Sequence, residues 1–446
     1  MTIAEKQIPT VLLVVSNYLT AHSVGAERVR KFAKYLPEFG FNVCVLTSTK
    51  PDHLSSESTK IYRAFEPGHL YRPFFRRCFH KSYPSDSGQQ VKPLSRFESE
   101  LDKTLLHGVR RWMLDNVLIP DLGITFFPGA IWTGRKVVRK ESIDIILSSG
   151  PPHSVHLVAG CLAALTNRPW VADFRDGWLF ESLNPLLRTD NWRRCIEKKM
   201  ERWVSHHADT IISVSQPICN YFEQAYSLPS AKNHVITNGF DPTDWCNIRP
   251  IPQDTDKFRL VYTGSFSLSR MTQSPEPVLA ALQTLQPEVR AHLRLALVGE
   301  LTDAERSAIQ KYGLSDIVKE IGLVSHSESL AYQVSADCLL LMVGSDRSVA
   351  TSKLYEYLYS RRPILAISAE DTAAADIVKK TESGKVVAPD NPQAIAATLT
   401  DLYTLWKKGE LICRSVGIER YERRELTRQL AEICGELVQS KCQAVS

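Results

Sequence analysis

Val11-Leu-Leu-Val-Val15 is an unbroken apolar run with no polar position that could face water. A strand of this kind has to be covered on both faces, which points to a parallel sheet with helices packed on either side. The following residues agree. A polar loop runs from Ser16 to Gly25. Ala26 to Leu36 then carries Val29, Phe32, Ala33 and Leu36 at helical spacing, and Pro37 and Gly40 end it. Val43-Cys-Val-Leu-Thr47 reads as the next strand, so the chain opens with a β-loop-α-β unit of Rossmann-like type.

The alternation resumes further on. Ile143 to Leu147, Trp170 to Asp173, Thr210 to Val214 and Val235 to Thr237 read as strands; Ser154 to Leu165 and Cys195 to His207 read as helices. Residues 48–125 interrupt it. Between Lys60 and Asp115 there are 11 Lys/Arg against 6 Asp/Glu, including the basic and aromatic run from Tyr71 to His80. Ser82 to Pro93 is polar, and Leu101 to Val117 has an amphipathic helical pattern. The Arg/Phe mixture suits peripheral contact with an anionic membrane surface, although a solvated irregular insertion fits it equally.

Arg249 to Lys257, with Pro250 and Pro252, reads as a linker. A second α/β series follows it. Its strands are Phe258 to Tyr262, Leu293 to Val298, Val318 to Ile321, Asp337 to Val343, Pro363 to Ile367 and Lys385 to Val387, and helices at Asn391 to Trp406 and Tyr421 to Cys442 close it. The expected fold is therefore α/β, with two doubly wound Rossmann-like domains, 1–248 and 249–420, facing across a cleft. A C-terminal helix, 421–446, is expected to pack back on the first domain.

Composition narrows the function. The chain has 446 residues, 43% of them hydrophobic and 23% charged, enough for two full cores. A net charge of +5 is small for a general nucleic-acid binder. No apolar run approaches a membrane span, and no export signal is read at the start, so a cytoplasmic location is expected. The ten cysteines are scattered without a C-x-x-C pair, which fits buried free thiols. No His/Asp/Glu cluster has metal-ligand spacing. Neither G-x-G-x-x-G nor the P-loop motif occurs, which disfavours dinucleotide dehydrogenases and P-loop kinases.

Other motifs carry chemistry. In Thr351-Ser-Lys-Leu-Tyr-Glu-Tyr-Leu358, Thr351 and Ser352 stand where a helix N-cap belongs, and Lys353 adds positive charge to a positive dipole end. Glu356 lies one turn on and suits paired sugar hydroxyls. A diphosphate followed by a ribose would fit this order of groups; a surface Lys–Glu pair would also produce it. Gly264 and Ser265 end a strand and let a ligand approach the backbone, with Arg270 placed to pair with phosphate. Asp173, Arg175 and Asp176 follow another buried strand, where they can orient a sugar or form a structural ion pair. His153, before the Ser154 helix, is a candidate ligand contact, and Gly25 opens the first loop to an anion.

At these residues the sequence resembles the group 1 (family 4) retaining glycosyltransferases of the GT-B fold, and more narrowly bacterial members of polysaccharide or glycolipid assembly. The resemblance runs over most of the chain. Its motifs are Gly25-Ala-Glu-Arg28, Ser149-Gly-Pro-Pro-His-Ser154, Trp170 to Trp178, Ile212-Ser-Val-Ser215, Ile236 to Asp241, Tyr262 to Phe266, Lys353 to Leu358 and Arg362-Pro-Ile-Leu365. It implies transfer from a UDP- or GDP-linked sugar to a glycan or lipid-linked acceptor, with retention and without a metal or other cofactor. By carry-over, Lys353 and Arg270 neutralise the diphosphate, and Ser352 and Leu354 offer it backbone N–H groups. Glu356 holds the ribose, and Gly25 lets the first loop close on the diphosphate. Val324, within Gly322 to Ser325, edges the base. Arg175 falls where many relatives carry a histidine, flanked by Asp173 and Asp176.

Two departures stand out. Ser348 occupies the place of a frequent first glutamate, and Val24 breaks a frequent double glycine. A sugar-nucleotide epimerase of the same architecture and a non-catalytic sugar-nucleotide-binding scaffold are the alternative readings.

Overall fold

The computed structural model describes residues 8–16, 18, 24–48, 59–66, 112–113, 116–182, 184–252, 256–267 and 274–445. They form two compact units. The first holds strands β1 to β7 and the chain from Thr427 onward; the second holds Thr237–Leu426 with Ser215–Pro217. The chain thus enters the second unit well before Arg249. Aromatic packing explains the early boundary: Phe240 and Trp245 lie against Tyr359, with ring centroids 4.8 and 4.6 Å apart.

In the first unit the strands are β1 (Thr10–Val14), β2 (Asn42–Thr47), β3 (Lys60–Arg63), β4 (Ile145–Gly150), β5 (Trp170–Phe174), β6 (Thr210–Ser213) and β7 (Asn233–Val235). They pair in parallel in the order β3-β2-β1-β4-β5-β6-β7. The helices are α1 (Val24–Tyr35), α2 (Phe127–Lys140), α3 (Ser154–Thr166), α4 (Trp192–His207) and α5 (Gln216–Tyr226). The apolar stripe of α1 faces inward as its spacing requires, with Val29, Phe32 and Ala33 all buried. Gly40 then takes a left-handed φ of 82° and returns its N–H to Leu36 and Pro37, which closes the turn into β2.

The second unit contains β8 (Phe258–Thr263), β9 (Leu293–Val298), β10 (Val318–Glu320), β11 (Cys338–Gly344), β12 (Ile364–Ser368) and β13 (Gly384–Val387). These pair in parallel as β10-β9-β8-β11-β12-β13. Its helices are α6 (Glu276–Gln283), α7 (Pro287–His292), α8 (Asp303–Lys311), α9 (His326–Val334), α10 (Ser352–Ser360), α11 (Ala373–Lys380) and α12 (Pro392–Lys407). Helix α13 (Arg423–Val445) ends the chain. Both faces of this sheet are covered: Leu260, Tyr262, Leu340 and Met342 belong to one core, and Val261, Leu339 and Leu341 to the other. That alternation is the period of two expected of an extended strand.

Several elements depart from the sequence reading. Residues 48–125 contain β3, an edge strand whose charged ends Lys60 and Arg63 disguise it. Its Tyr62 hydroxyl and Lys60 ammonium both reach Glu141, at 2.6 Å. Helix α2 was not expected, because Pro128, Gly129 and Gly134 weaken its helical signal. Packing requires those glycines: a Cβ on Gly134 would come within 2.6 Å of Leu162, and one on Gly129 within 2.1 Å of the Phe65 carbonyl. The last strand of the first sheet ends at Val235, two residues before the expected Thr237. Helix α5 was also missed; it buries Ile218, Cys219, Phe222 and Tyr226. The run from Tyr71 to His80, the polar stretch 82–93 and most of the expected Leu101 to Val117 helix lie outside the described residues.

One ion pair ties the centre of the first unit together. Arg28 on α1 grips Asp173 at the end of β5 with two hydrogen bonds, Nε to Oδ2 at 3.0 Å and Nη2 to Oδ1 at 2.8 Å, and both side chains are 0% exposed. Arg28 also donates to the Ile236 carbonyl at 2.8 Å, and the Ser149 hydroxyl donates to Asp173 at 2.7 Å. Removing one partner leaves a buried charge uncompensated. Asp173→Ala is therefore expected to cost about 3 kcal/mol or more in urea denaturation, and the Arg28→Met/Asp173→Ala double variant to recover part of that loss.

Glu201 on α4 is a second buried carboxylate. It accepts from Tyr221 Oη at 2.8 Å, from Tyr226 Oη and from Leu179 N at 3.1 Å. Burial outweighs these donors and pushes its pKa up to about 7. The folded state therefore holds a proton that the unfolded chain has already released. Stability is expected to fall as pH rises from the ordinary carboxylate range through about 7. Glu201→Gln should flatten that part of the pH profile when urea midpoints are compared across it.

Candidate active site

In an open parallel sheet the loops diverge where the strand order reverses, and ligands bind at the carboxyl ends of the strands there. The two orders place these switch points between β1 and β4 in the first unit and between β8 and β11 in the second.

At the second switch point the sequence candidates gather. Gly264 follows β8 with φ +103°, and its N–H donates to Val298 O at 2.6 Å. Lys353, in the first turn of α10, places Nζ 3.2 Å from Tyr262 Oη and 4.7 Å from the centre of that ring. A Cβ on Gly264 would lie 2.3 Å from Lys353 Nζ, so the absent side chain is the space the ammonium uses. Tyr262 is fixed in turn. Its ring stacks on Phe266 at 4.2 Å and its hydroxyl donates to the Ser265 carbonyl at 2.8 Å. Burial lowers the Lys353 pKa to about 8, against the opposing pull of Glu356. The ammonium is thus poorly solvated, and its hydrogen-bond partner among the described residues is a neutral hydroxyl, which suits it to an incoming anion.

Thr351 is the N-cap of α10 by backbone geometry, but its side chain makes no cap and its Oγ1 is buried without a partner. Ser352 opens the helix. The Leu354 N–H, expected to face the diphosphate, instead donates to Thr351 O at 3.1 Å, and the Leu354 side chain is buried. Glu356, 22% exposed, is held by Gln333 Nε2 at 2.8 Å and His326 Nε2 at 3.1 Å, both from α9. Val324, half-buried, lies in the loop between β10 and α9. Arg270 lies outside the described residues.

Sequence reading missed Glu305, which holds the loop after β8. It accepts from Ser267 N at 3.1 Å and Ser267 Oγ at 2.6 Å, and from Thr302 N in a capping box. The Thr302-x-x-Glu305 spacing was a usable signal for the cap; the bond to Ser267 was not. Nothing local announced Gln333 or His326 as partners of Glu356.

At the first switch point the arrangement differs from expectation. Gly25 lies inside the first turn of α1, which begins at Val24, and not in the loop before it. Asp173 is turned inward to Arg28, as described above. Arg175 sends Nε to Gly150 O at 3.2 Å and Nη2 to Pro151 O, so it clamps the turn after β4. Asp176, half-buried, lies beside it and helps keep it charged. His153 stacks flat on Trp178, centroids 4.8 Å apart and planes 2° apart, and burial holds its pKa well below the usual value, so the ring is neutral. Its Nδ1 is buried without a partner. Asp121, also missed, fixes the start of α3 by accepting from Ser154 N at 3.1 Å and Ser154 Oγ at 2.7 Å.

The buried carboxylates on α4 complete this frame. Glu197 accepts from Trp178 Nε1 and from Arg193 Nε, each at 2.7 Å, while Glu201 holds the Leu179 N–H. The loop after β5 is thereby pinned on its far side, and the ring stacked on His153 cannot turn freely.

Comparison with known proteins identifies the family and the fold. Residues 25–244 match the family model for glycosyltransferase family 4, and residues 247–412 match that for glycosyl transferases group 1. No curated protein matches the sequence. Among solved structures, sucrose-phosphate synthase from Thermosynechococcus elongatus is similar with a TM-score of 0.61 and 16% identity, covering 98% of both chains. The apo form of WaaB, a lipopolysaccharide outer core galactosyltransferase, has a TM-score of 0.59 and 13% identity, covering 97% of this chain and 99% of its own. A putative UDP-N-acetylglucosamine 2-epimerase from Listeria monocytogenes has a TM-score of 0.51 and 12% identity, covering 94% of each. At such identities the structures share a fold and nothing finer, and the fold alone does not separate a transferase from an epimerase. The two sequence models do, and on their matches in order along the chain it belongs to the group 1 glycosyltransferases of the GT-B fold, whose activity is glycosyl transfer.

Proposed function

We propose that the protein transfers a sugar, with retention and without a metal, from a nucleoside diphosphate sugar to a glycan or lipid-linked acceptor. The observation that carries this reading is the placement of Lys353 under Gly264 at the second switch point, with Glu356 one turn further along α10. A diphosphate entering there meets a desolvated ammonium and the start of a helix whose first N–H groups lack a side-chain cap. Glu356, already oriented by Gln333 and His326, receives the ribose hydroxyls.

As the glycosidic bond lengthens, negative charge grows on the departing diphosphate. Lys353 and the α10 N-terminus then bind the developing charge more tightly than the ground state, and that difference is the catalytic contribution. The UDP or GDP identity of the donor follows the family resemblance, as does the assignment of the acceptor to the first unit. A glycolipid or polysaccharide acceptor accords with the lipopolysaccharide galactosyltransferase among the similar folds. A cytoplasmic enzyme working at the inner face of the membrane fits that acceptor class, and no described helix is long and apolar enough to cross a membrane.

Two measurements test the reading. In calorimetry, a UDP- or GDP-sugar should bind, and Glu356→Ala should weaken it about tenfold through loss of charge-assisted hydrogen bonds while leaving the thermal midpoint of the free protein nearly unchanged. Equal affinity in the variant would remove Glu356 from the donor site, and a donor altered in the absence of any acceptor would favour the epimerase.

The second concerns protons. A bound diphosphate favours charged Lys353, whose pKa in the free protein is about 8. Binding above that pH must take up a proton, so affinity should fall as pH rises through about 8. Lys353→Arg should abolish the proton uptake, read by repeating the calorimetry in buffers of different ionisation enthalpy.

A further inference from the structure

Helix α2 turns one face to the core through Ala130, Gly134, Val137 and Val138. Its opposite face bears Trp132, Arg135, Lys136, Arg139 and Lys140, all exposed, and Trp132 is 66% exposed. These positions recur at helical spacing, so they form one stripe. Phe65, also 66% exposed, adjoins it, because its carbonyl is the atom that meets Gly129 on α2. The stripe carries four cations and no acid. Arg135 and Arg139 have no acidic partner among the described residues, and Lys140 has only the flanking Glu141 at 3.8 Å. Lys136 lies over the Trp132 ring, 3.2 Å from its centre.

We propose that this face of α2 docks on an anionic lipid bilayer surface. The chemistry selects that partner in three ways. An indole beside long basic side chains suits the boundary between headgroups and acyl chains, where the ring has an apolar body and a polar N–H. The Arg and Lys stems can lie along the boundary while their charges stay at the phosphates. The stripe's charge is of one sign, and among the described residues only Lys140 has an acidic neighbour, Glu141, so the face complements a negative leaflet. The Arg/Phe mixture that suggests a membrane contact in the sequence lies within residues 48–125; the helix that carries this stripe, Phe127–Lys140, lies just beyond them. The inference deepens the reading of a lipid-linked acceptor and rests on it for its biological sense, but its test does not require turnover.

The test is cosedimentation of the full chain with phosphatidylcholine vesicles, with and without phosphatidylglycerol. The protein should pellet with the anionic vesicles at low salt and be released at high salt. The variant Arg135→Gln/Lys136→Gln/Arg139→Gln/Lys140→Gln should lose about tenfold or more in partitioning, with an unchanged thermal midpoint because the face is exposed. Trp132→Ala, which keeps every charge, should weaken binding less and raise its salt sensitivity. Failure to bind anionic vesicles, equal binding to neutral ones, or full binding by the charge variant would overturn the proposal. Nucleotide-sugar affinity, measured without lipid, reports on the donor site alone, so the two readings fail separately.

Discussion

A parallel strand covered on both faces leaves its side chains no contact with solvent, and function is pushed to the loops at its carboxyl end. That constraint governs both units here. β1 and β4 are buried throughout in the first, and β8 and β11 are almost wholly so in the second. Where the strand order reverses, the loops part and expose polar groups that the sheet cannot use. Gly264, Lys353 and Ser352 lie at one such point; His153 and Gly25 lie at the other.

What each switch point does with its charged groups differs. In the first unit the carboxylates are largely spent on structure. Asp173 is locked to Arg28, Glu197 to Arg193 and Trp178, and Asp121 to the start of α3. These contacts make a stiff frame around the loop after β5. In the second unit Lys353 is given a neutral hydroxyl and an aromatic face for neighbours. A cation so placed retains its capacity for an anionic ligand, while Glu356 is oriented by uncharged Gln333 and by His326 without being buried.

The fold was largely legible from the spacing of apolar residues, because a doubly covered strand and an amphipathic helix each leave a periodic trace. The exceptions share a cause: a local feature that tertiary packing demanded and that looks adverse in isolation. Gly129 and Gly134 make α2 look like a poor helix, yet they are the residues that let it approach Phe65 and Leu162. Charged Lys60 and Arg63 hide β3, because an edge strand needs no apolar continuity. The candidate site was legible as a set of positions at strand ends, but their partners were not. Asp173 and Arg28 are 145 residues apart, and no spacing rule links them.

The sequence by itself determined the two α/β series, the strand ends at which chemistry would collect, and the order Gly264, Lys353, Glu356 of the proposed donor site. Those properties are local, set by period, by small residues and by helix-start chemistry. Only the tertiary structure decided which charges were consumed and which stayed available, since burial and pairing depend on neighbours brought from distant strands. It turned Asp173 inward, closed Arg175 onto the Gly150 turn, placed Lys353 in the space left by a missing Cβ, and left the basic face of α2 exposed beside Phe65.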